Sequence, residues 1–474
     1  MNSFKWRLTI LCALALACFP HTIAAQQPVA IDLVTLSAEA RIWLTDLLRI
    51  NTSNPPGNEL VAAKYIAAVI EKEGIHTEVI ENAPGRGIVI ARLSAGAVPD
   101  PSRALLLLAH TDVVGVDRSK WSQDPFGGVI KDGYLYGRGA IDDKGPLVAN
   151  LATFIAIKRS GIKLGRDLIF LAESDEEAGG TGMDFAVTHH WDKIAAGFAI
   201  NEGGRTIMKD GKVLYVAVQA SEKVSVNVAV VATGRSGHAS IPIKENAVVH
   251  LAAAIEKIGN WETPAKPNSI TRRYFEELSR VSDPDMAKWM RALDTPERQQ
   301  QAAKRLSEAD PVWSSMLRNS ISPTMLEAGI RVNVIPSEAR AMLNVRLLPG
   351  ELIADLVNGM TKLVNDPQIR IEAEPFSRQP SPPSSLDTDL YRAIEHATQT
   401  VFPGAVMIPM MSTWATDSTF LRLHNVECYG VVSFPLTEEE MARMHADNER
   451  IPVASIEKAV ALIYSSVAEF VKAP

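Results

Sequence analysis

The chain has 474 residues, 46% hydrophobic and 22% charged, enough to bury a large core and to form two or more domains. Its formal net charge is -7 with no basic block, which argues against a nucleic-acid partner, because a phosphate-binding surface needs clustered Lys and Arg. At the start of the chain, Lys5 and Arg7 precede an apolar run from Leu8 to Phe19, and Ile23-Ala24-Ala25 stands before Gln26. This layout predicts a cleaved signal peptide over residues 1–25 and a periplasmic or secreted protein. The apolar run is short for a full span and no later stretch is long enough, so no stable membrane span is expected in the mature form. Cys12 and Cys18 fall in the signal, leaving Cys428 alone and no intramolecular disulfide.

After the signal, residues 59–73 carry helical periodicity. Ala104-Leu-Leu-Leu-Leu-Ala109 reads as a fully buried strand, as does Asp167-Leu-Ile-Phe-Leu-Ala172, and Gly197-Phe-Ala-Ile200 is a third, shorter one. A helix is expected between the first two, from Pro146 to Lys158. Strands alternating with helices predict an α/β fold with a mostly parallel sheet. From about 221 the pattern changes. A half-exposed strand from Val224 to Ala232 is followed by a helix from Asn246 to Ile258, strands over 325–335 and 339–347, a helix over 351–364 and a strand over 369–374. That order is a ferredoxin-like split βαβ arrangement. A charged, helix-prone stretch over 268–318 reads as a helical insertion within it, since it keeps apolar positions. The first pattern then returns, with helices over 387–400 and 455–471 and a strand over 428–433. The expected organisation is a catalytic α/β domain in two pieces, 28–220 and 378–474, with an α+β domain over 221–377 inserted between them.

The polar residues fall where such a sheet binds ligands. His110 and Asp112 follow the strand at 104–109; Glu173, Asp175, Glu176 and Glu177 follow the strand at 167–172; Asn201 and Glu202 follow the strand ending at Ile200. Each cluster sits at the carboxyl end of a buried strand, the edge where open α/β sheets hold ligands. Several carboxylates in one cleft are costly unless cations compensate them. His, Asp and Glu without Cys suit zinc or a similar divalent ion. Asp142 adds a carboxylate in the turn Gly137-Arg-Gly-Ala-Ile-Asp-Asp-Lys-Gly145, and His445 adds an imidazole from the last segment.

These residues carry a family resemblance. His110-Thr-Asp-Val-Val114, Trp121-Ser-Gln-Asp-Pro-Phe126, Gly137 to Gly145, Glu173 to Gly180, Asn201-Glu-Gly-Gly204, Gly237-His-Ala-Ser240 and His445-Ala-Asp-Asn-Glu-Arg450 run in order over nearly the whole chain. The chain resembles the co-catalytic di-zinc peptidase and aminoacylase family, and its end looks closest to carboxypeptidase S-like members. The resemblance implies a zinc-peptidase (phosphorylase/hydrolase-like) catalytic domain with a ferredoxin-like lid, and two Zn2+ ions, replaceable by Co2+ or Mn2+. His110 would bind one ion, oriented by Asp112. Asp142 would bridge both ions, with a cis peptide before Asp143. Glu177 and His445 would complete one metal's shell and Glu202 the other's. Glu176 would stay off the metals as general base, taking a proton from the bridging water and passing it to the leaving amine. His238 would donate to the tetrahedral oxyanion, from a partner subunit in dimeric relatives.

The resemblance also implies substrate contacts. Arg346 would clamp a substrate carboxylate through its bidentate fork, and Asn333 would touch substrate. Trp414-Ala-Thr-Asp417 matches a loop in which relatives carry Gly where Trp414 stands; Trp414 either walls the substrate site or simply packs. The expected activity is a metallo-carboxypeptidase or N-acyl-amino-acid amidohydrolase, acting on small peptides or N-acyl amino acids. Cytosolic-type deacetylase or desuccinylase chemistry and a non-catalytic periplasmic binding protein are the alternatives; Glu176 disfavours the last, since a binder needs no general base. A homodimer through the lid domain is expected unless the 268–318 insertion remodels that surface.

Overall fold

A computed structural model describes residues 29–473 apart from Ala97 and Ser377; the expected signal peptide lies outside the described residues. The larger unit is built on a ten-stranded, mainly parallel mixed sheet. From one edge its strands run Thr77–Ala83, Arg86–Leu93, Leu168–Glu173, Leu105–His110, Phe198–Asn201, Glu427–Gly430, Lys212–Glu222, Arg205–Lys209 and Pro435–Leu436, with Val406–Ser412 also paired to Lys212–Glu222. The central strands Leu168–Glu173, Leu105–His110, Phe198–Asn201 and Glu427–Gly430 are mutually parallel.

The continuous apolar runs follow from burial on both faces. Leu105, Leu107 and Ala109 point into one core cluster together with Leu147, Leu151 and Phe154 of helix Lys144–Ser160 and with Val460 and Ile463 of helix Ser455–Val471. Leu106 and Leu108 point into a second cluster, with Met183 and Ala186 of helix Thr181–His189. The period of two along the strand thus sends alternate residues to opposite helical layers. Helix Lys144–Ser160 is buried nearly all round and stops at Gly161, whose φ of 64° forms a left-handed C-cap. None of the helices among the described residues is long and apolar enough to cross a membrane.

The smaller unit has its own core. Its antiparallel sheet has the order Ser320–Ala328, Glu338–Leu347, Val224–Thr233, Ile369–Ala373. Val226, Val228, Val230, Ala341, Leu343 and Val345 meet helices Ala247–Gly259 and Ile353–Val364. The chain order of these elements is strand, helix, strand, strand, helix, strand. One strand differs from the sequence reading: it runs Ser320–Ala328 instead of 325–335. Gly329 turns it with φ of 64°, and Val334–Ile335 pairs separately with Gly237–His238. The first residues of this strand, broken up by Ser320, Ser322 and Thr324, escaped a hydrophobicity-based assignment, although Ser320 and Ser322 pair in register with Arg346 and Asn344.

The segment 268–318 folds as helices Ser269–Leu278, Pro284–Ala292, Pro296–Ala309 and Pro311–Leu317. Asn268, Asp283 and Asp310 cap three of them, and Pro stands at the start of three. Read from the sequence as part of the smaller domain, this segment packs elsewhere. Ile270, Phe275, Met290, Leu306 and Leu317 belong to the core of the larger unit. The chain therefore passes between the two cores near 223, over 260–268, near 318 and over 374–388.

Candidate functional site

The carboxyl edge of the parallel strands gathers the acidic and histidine residues. His110 ends its strand directly beside Glu173. His110 Nδ1 lies 3.1 Å from the Asp112 carbonyl oxygen and 3.2 Å from Asp112 Oδ1, while its Nε2 lies 3.0 Å from Asp142 Oδ1. The other oxygen of Asp142, Oδ2, lies 3.0 Å from His445 Nε2, which is also 3.0 Å from Glu177 Oε1. Asp142 thus offers one oxygen to each imidazole. Ligand atoms of His110, Glu176 and Glu202, and likewise of His110, Asp142 and Glu177, lie within 4.8 Å of one another.

Local structure explains how these groups meet. The backbone N–H groups of Glu176 and Glu177 donate to Asp112 at 3.1 and 3.2 Å, so the carboxylate behind His110 also fixes the acidic turn. Asn54 Nδ2 donates to the same carboxylate at 2.9 Å. The turn carrying Asp142, with a cis peptide between Asp142 and Asp143, is wrapped around the buried Glu449 carboxylate. That carboxylate accepts from Arg138 Nη1 (2.7 Å) and from the N–H groups of Gly139 (3.1 Å), Ile141 (2.7 Å) and Asp142 (3.3 Å). Gly145 is required in this turn, because a Cβ there would lie 2.2 Å from the Ala140 carbonyl oxygen. His445 is held in a left-handed conformation, φ 61°, and its carbonyl accepts from Arg138 Nη2 at 3.1 Å.

The electrostatics are those of crowded, buried acids. Burial, then the charges of Asp142 and Glu176, push the Glu202 carboxyl well above its ordinary pKa. Burial lifts Glu176 to about 8 against the opposing charge of Arg378, and it raises Glu177 as well. Burial disfavours charge on His110, but hydrogen bonds to Asp112 and Asp142 outweigh it and hold the pKa well above the ordinary value. Hydrogen bonds to Asp142 and Glu177 raise His445 to about 10. Against burial, His110 and His445 hold Asp142 well below the usual carboxylate range. The donor set fits divalent cations: carboxylates and imidazoles converge, no thiolate is present, and the negative charge outruns the local protein cations.

The profile of Peptidase family M20/M25/M40 matches residues 106–469. The chain belongs to this family. It is 29% identical over 376 residues to the human N-fatty-acyl-amino acid synthase/hydrolase PM20D1, covering 78% of this chain and 74% of that protein. It is 27% identical over 370 residues to the probable carboxypeptidase S-like 2 of Dictyostelium discoideum, covering 76% of this chain and 70% of the relative. The fold matches an M20 family metallo-carboxypeptidase, Sso-CP2 from Sulfolobus solfataricus, with TM-score 0.68 and 20% identity over 91% of this chain and 99% of the other. This M20 protein is a hydrolase acting on peptide or N-acyl amide bonds.

The residues singled out from the M20 sequence divide between the two units. His110, Asp112, Asp142, Glu176, Glu177, Glu202 and His445 all belong to the larger one and converge. His238 and Asn333 sit exposed on the smaller unit, joined through their ladder: His238 pairs with Val334, and the Asn333 carbonyl accepts from Ala239 at 3.1 Å. Among the described residues, His238 bonds to Ser240 Oγ at 2.7 Å and to no member of the acidic cluster. Arg346 is half-buried; its Nε donates to Asn344 Oδ1 at 3.0 Å. Trp414 is half-buried against the core of the larger unit.

Sequence reasoning missed three groups that the fold brings in. Glu449 and Arg138 anchor both the Asp142 turn and His445, and Arg378 reaches Glu176 from the connector after the smaller unit. The motif around His445 contained Glu449, and its acid in an otherwise tight loop was the available signal. Arg378 lies in a proline-rich stretch 202 residues from its partner, with no local pattern to mark it.

Proposed function

We propose that this hydrolase cleaves the amide bond of an N-acyl amino acid, or the last bond of a small peptide, beside a free carboxylate. The observation that carries the reading is Asp142, each of whose carboxylate oxygens lies 3.0 Å from a different histidine. His110, Asp142 and Glu202 would hold one divalent cation, and Asp142, Glu177 and His445 a second, with zinc the expected metal. A bound pair of such cations supplies Lewis acidity toward the amide carbonyl and the attacking water.

The protein groups have separate tasks. Glu176 accepts the proton of the attacking water and delivers it to the leaving amine, the transfer expected of a positioned carboxylate. Asp112 fixes the His110 ring and, through its hydrogen bonds to the turn, the approach of Glu176. Arg346 receives the substrate carboxylate on its two Nη groups, since its hydrogen bond to Asn344 uses Nε. Asn333 and His238, together on one exposed ladder, would close over the substrate, His238 donating to the oxyanion. Trp414 borders the acyl side. We also propose export, with the signal cleaved near Gln26, and a homodimer formed through the smaller domain.

The test is a panel of N-acyl amino acids, short- and long-chain, and dipeptides, assayed with zinc and with chelator. Cleavage that needs both a free carboxylate and added metal is the expected result. Glu176→Gln should lose on the order of 10²–10⁴-fold in kcat while keeping wild-type metal content. A fully active Glu176→Gln, or activity indifferent to metal, overturns the reading.

A further inference from the structure

Arg378 lies on the connector 374–388, through which the chain returns from the smaller unit to the larger one. Its side chain is only 10% exposed. Nη1 donates to Glu176 Oε1 at 2.7 Å, and Nη2 donates to the Glu176 carbonyl oxygen at 2.8 Å. Nη2 also lies 3.5 Å from Asp417, and the guanidinium stands 5.8 Å from the centre of the Phe420 ring. The site around it is built to take a guanidinium: a Cβ at Gly180 would come within 2.9 Å of Nη2. Asp417 is itself placed by a loop bound to the buried Glu222, whose carboxylate accepts from Thr416 N (3.0 Å) and Thr416 Oγ1 (2.7 Å).

We infer that Arg378 is the positioning residue of the general base: by gripping the side chain and the main chain of Glu176 with one planar fork, it presents Oε2 to the reacting water. This rests on the proposed role of Glu176. A carboxylate at the end of a Glu side chain has three rotatable bonds, and a base that leaves its line of attack loses rate steeply. The fork removes that freedom, because both ends of the Glu176 residue are bonded to one rigid, planar group. Among the described residues no protein donor is found on Oε2, so the grip leaves one oxygen for the proton.

A second arginine nearby raises the alternative that Arg378 binds the substrate carboxylate. The geometry separates the two. Arg346 keeps both Nη groups without a carboxylate partner among the described residues, whereas both Nη groups of Arg378 are already engaged with Glu176 and Asp417. The charge of Arg378 also adds to burial in lowering the pKa of Arg346, which places the two guanidinium groups in one neighbourhood. The free fork suits the ligand and the committed fork suits the base.

The experiment compares Arg378→Ala, Arg378→Lys, Arg346→Ala and Glu176→Gln in full-length zinc-loaded protein, on whichever N-acyl amino acid or dipeptide the wild type turns over. Arg378→Ala should lose on the order of a hundredfold in kcat with KM and zinc content near wild type. Arg378→Lys keeps a charge in the same cavity but cannot reach Oε1 and the carbonyl together, so it should recover only part of kcat. Guanidinium salt should restore Arg378→Ala and leave Glu176→Gln unchanged. Arg346→Ala should raise KM instead. Wild-type kcat in Arg378→Ala, or a rise in KM with kcat kept, overturns the inference. The base reading fails separately, if Glu176→Gln remains active; an inactive Glu176→Gln beside an active Arg378→Ala sinks only the role given to Arg378.

Discussion

Glu449→Ala tests whether the proposed metal ligands are held by their supporting turn or by their own packing. The substitution removes the acceptor of Arg138 and of three N–H donors of one turn, those of Gly139, Ile141 and Asp142. The side chains of Arg138 and Glu449 are 3% and 0% exposed, so the pair is broken away from bulk solvent. Breaking a buried pair from one side costs about 3–5 kcal/mol. With an unfolding entropy of about 2.1 cal/mol/K per residue, roughly 1 kcal/mol/K for this chain, that loss lowers Tm by about 4 °C. The functional effect is larger in proportion. Asp142 loses an N–H anchor and Arg138, which also holds the His445 carbonyl, loses its counter-charge, so two proposed ligands loosen together. Supporting contacts of this kind are worth about 10–100-fold in metal affinity. Chelator competition on the purified variant, alongside a thermal melt, measures both. Glu449→Gln, which keeps a carbonyl acceptor but no charge, should fall between. A lowered Tm with wild-type zinc affinity refutes the reasoning, because the turn would then be stabilised by Glu449 without being positioned by it.

Two further outcomes follow from the charges. His445, raised to about 10 by its hydrogen bonds to Asp142 and Glu177, carries a proton at neutral pH when paired only with carboxylates. A cation must expel it, so apparent zinc affinity rises with pH; one proton released corresponds to about a hundredfold between pH 6 and pH 8. Chelator competition at the two pH values decides it, and a pH-independent affinity overturns the assignment of His445 as a ligand. Lys223→Met should lower Tm. The buried Nζ donates to the carbonyls of Ser315 and Arg318, each at 2.9 Å, and to Ser320 Oγ at 3.0 Å, and stranding such carbonyls costs about 1–3 kcal/mol each. Hydrogen exchange should accelerate over residues 315–320; unchanged exchange there would show that the lysine does not hold the junction.

Much of the larger unit was legible because its strands are buried on both faces. The runs at 104–109 and 168–172 have no polar residue to disguise them, and the acids stand directly where each run ends. The alternation of Val224–Thr233 was equally plain, since one face meets two helices. What stayed hidden depended on contacts far apart in sequence. The helices over 268–318 carry apolar stripes that fit either core; only the packing of Phe275 and Leu306 against the larger unit decides between them. Arg378 carries no local signal, and its meaning comes from a carboxylate 202 positions away. Strand 320–328 was misplaced because Ser320, Ser322 and Thr324 interrupt its hydrophobic pattern, and pairing with 338–347 outweighs hydrophobicity there.

The division of labour follows from which core each residue belongs to. All five proposed ligands and Glu176 stand on elements of the larger unit, so the geometry of the metal site does not depend on where the smaller unit sits. Arg346, Asn333 and His238 stand on the smaller one and reach the chemistry only through the connectors. Two of those connectors are fixed by buried basic side chains: Lys223, bonded to the end of helix Pro311–Leu317, and Arg378, bonded to Glu176. Ser320, which accepts from Lys223, pairs in register with Arg346, so the lysine bears on the proposed substrate clamp as the arginine bears on the base. Loosening Lys223 should therefore appear in KM and leave metal content alone, whereas loosening Arg378 should appear in kcat. That opposition separates a hinge that orders the substrate from a fork that orders the base.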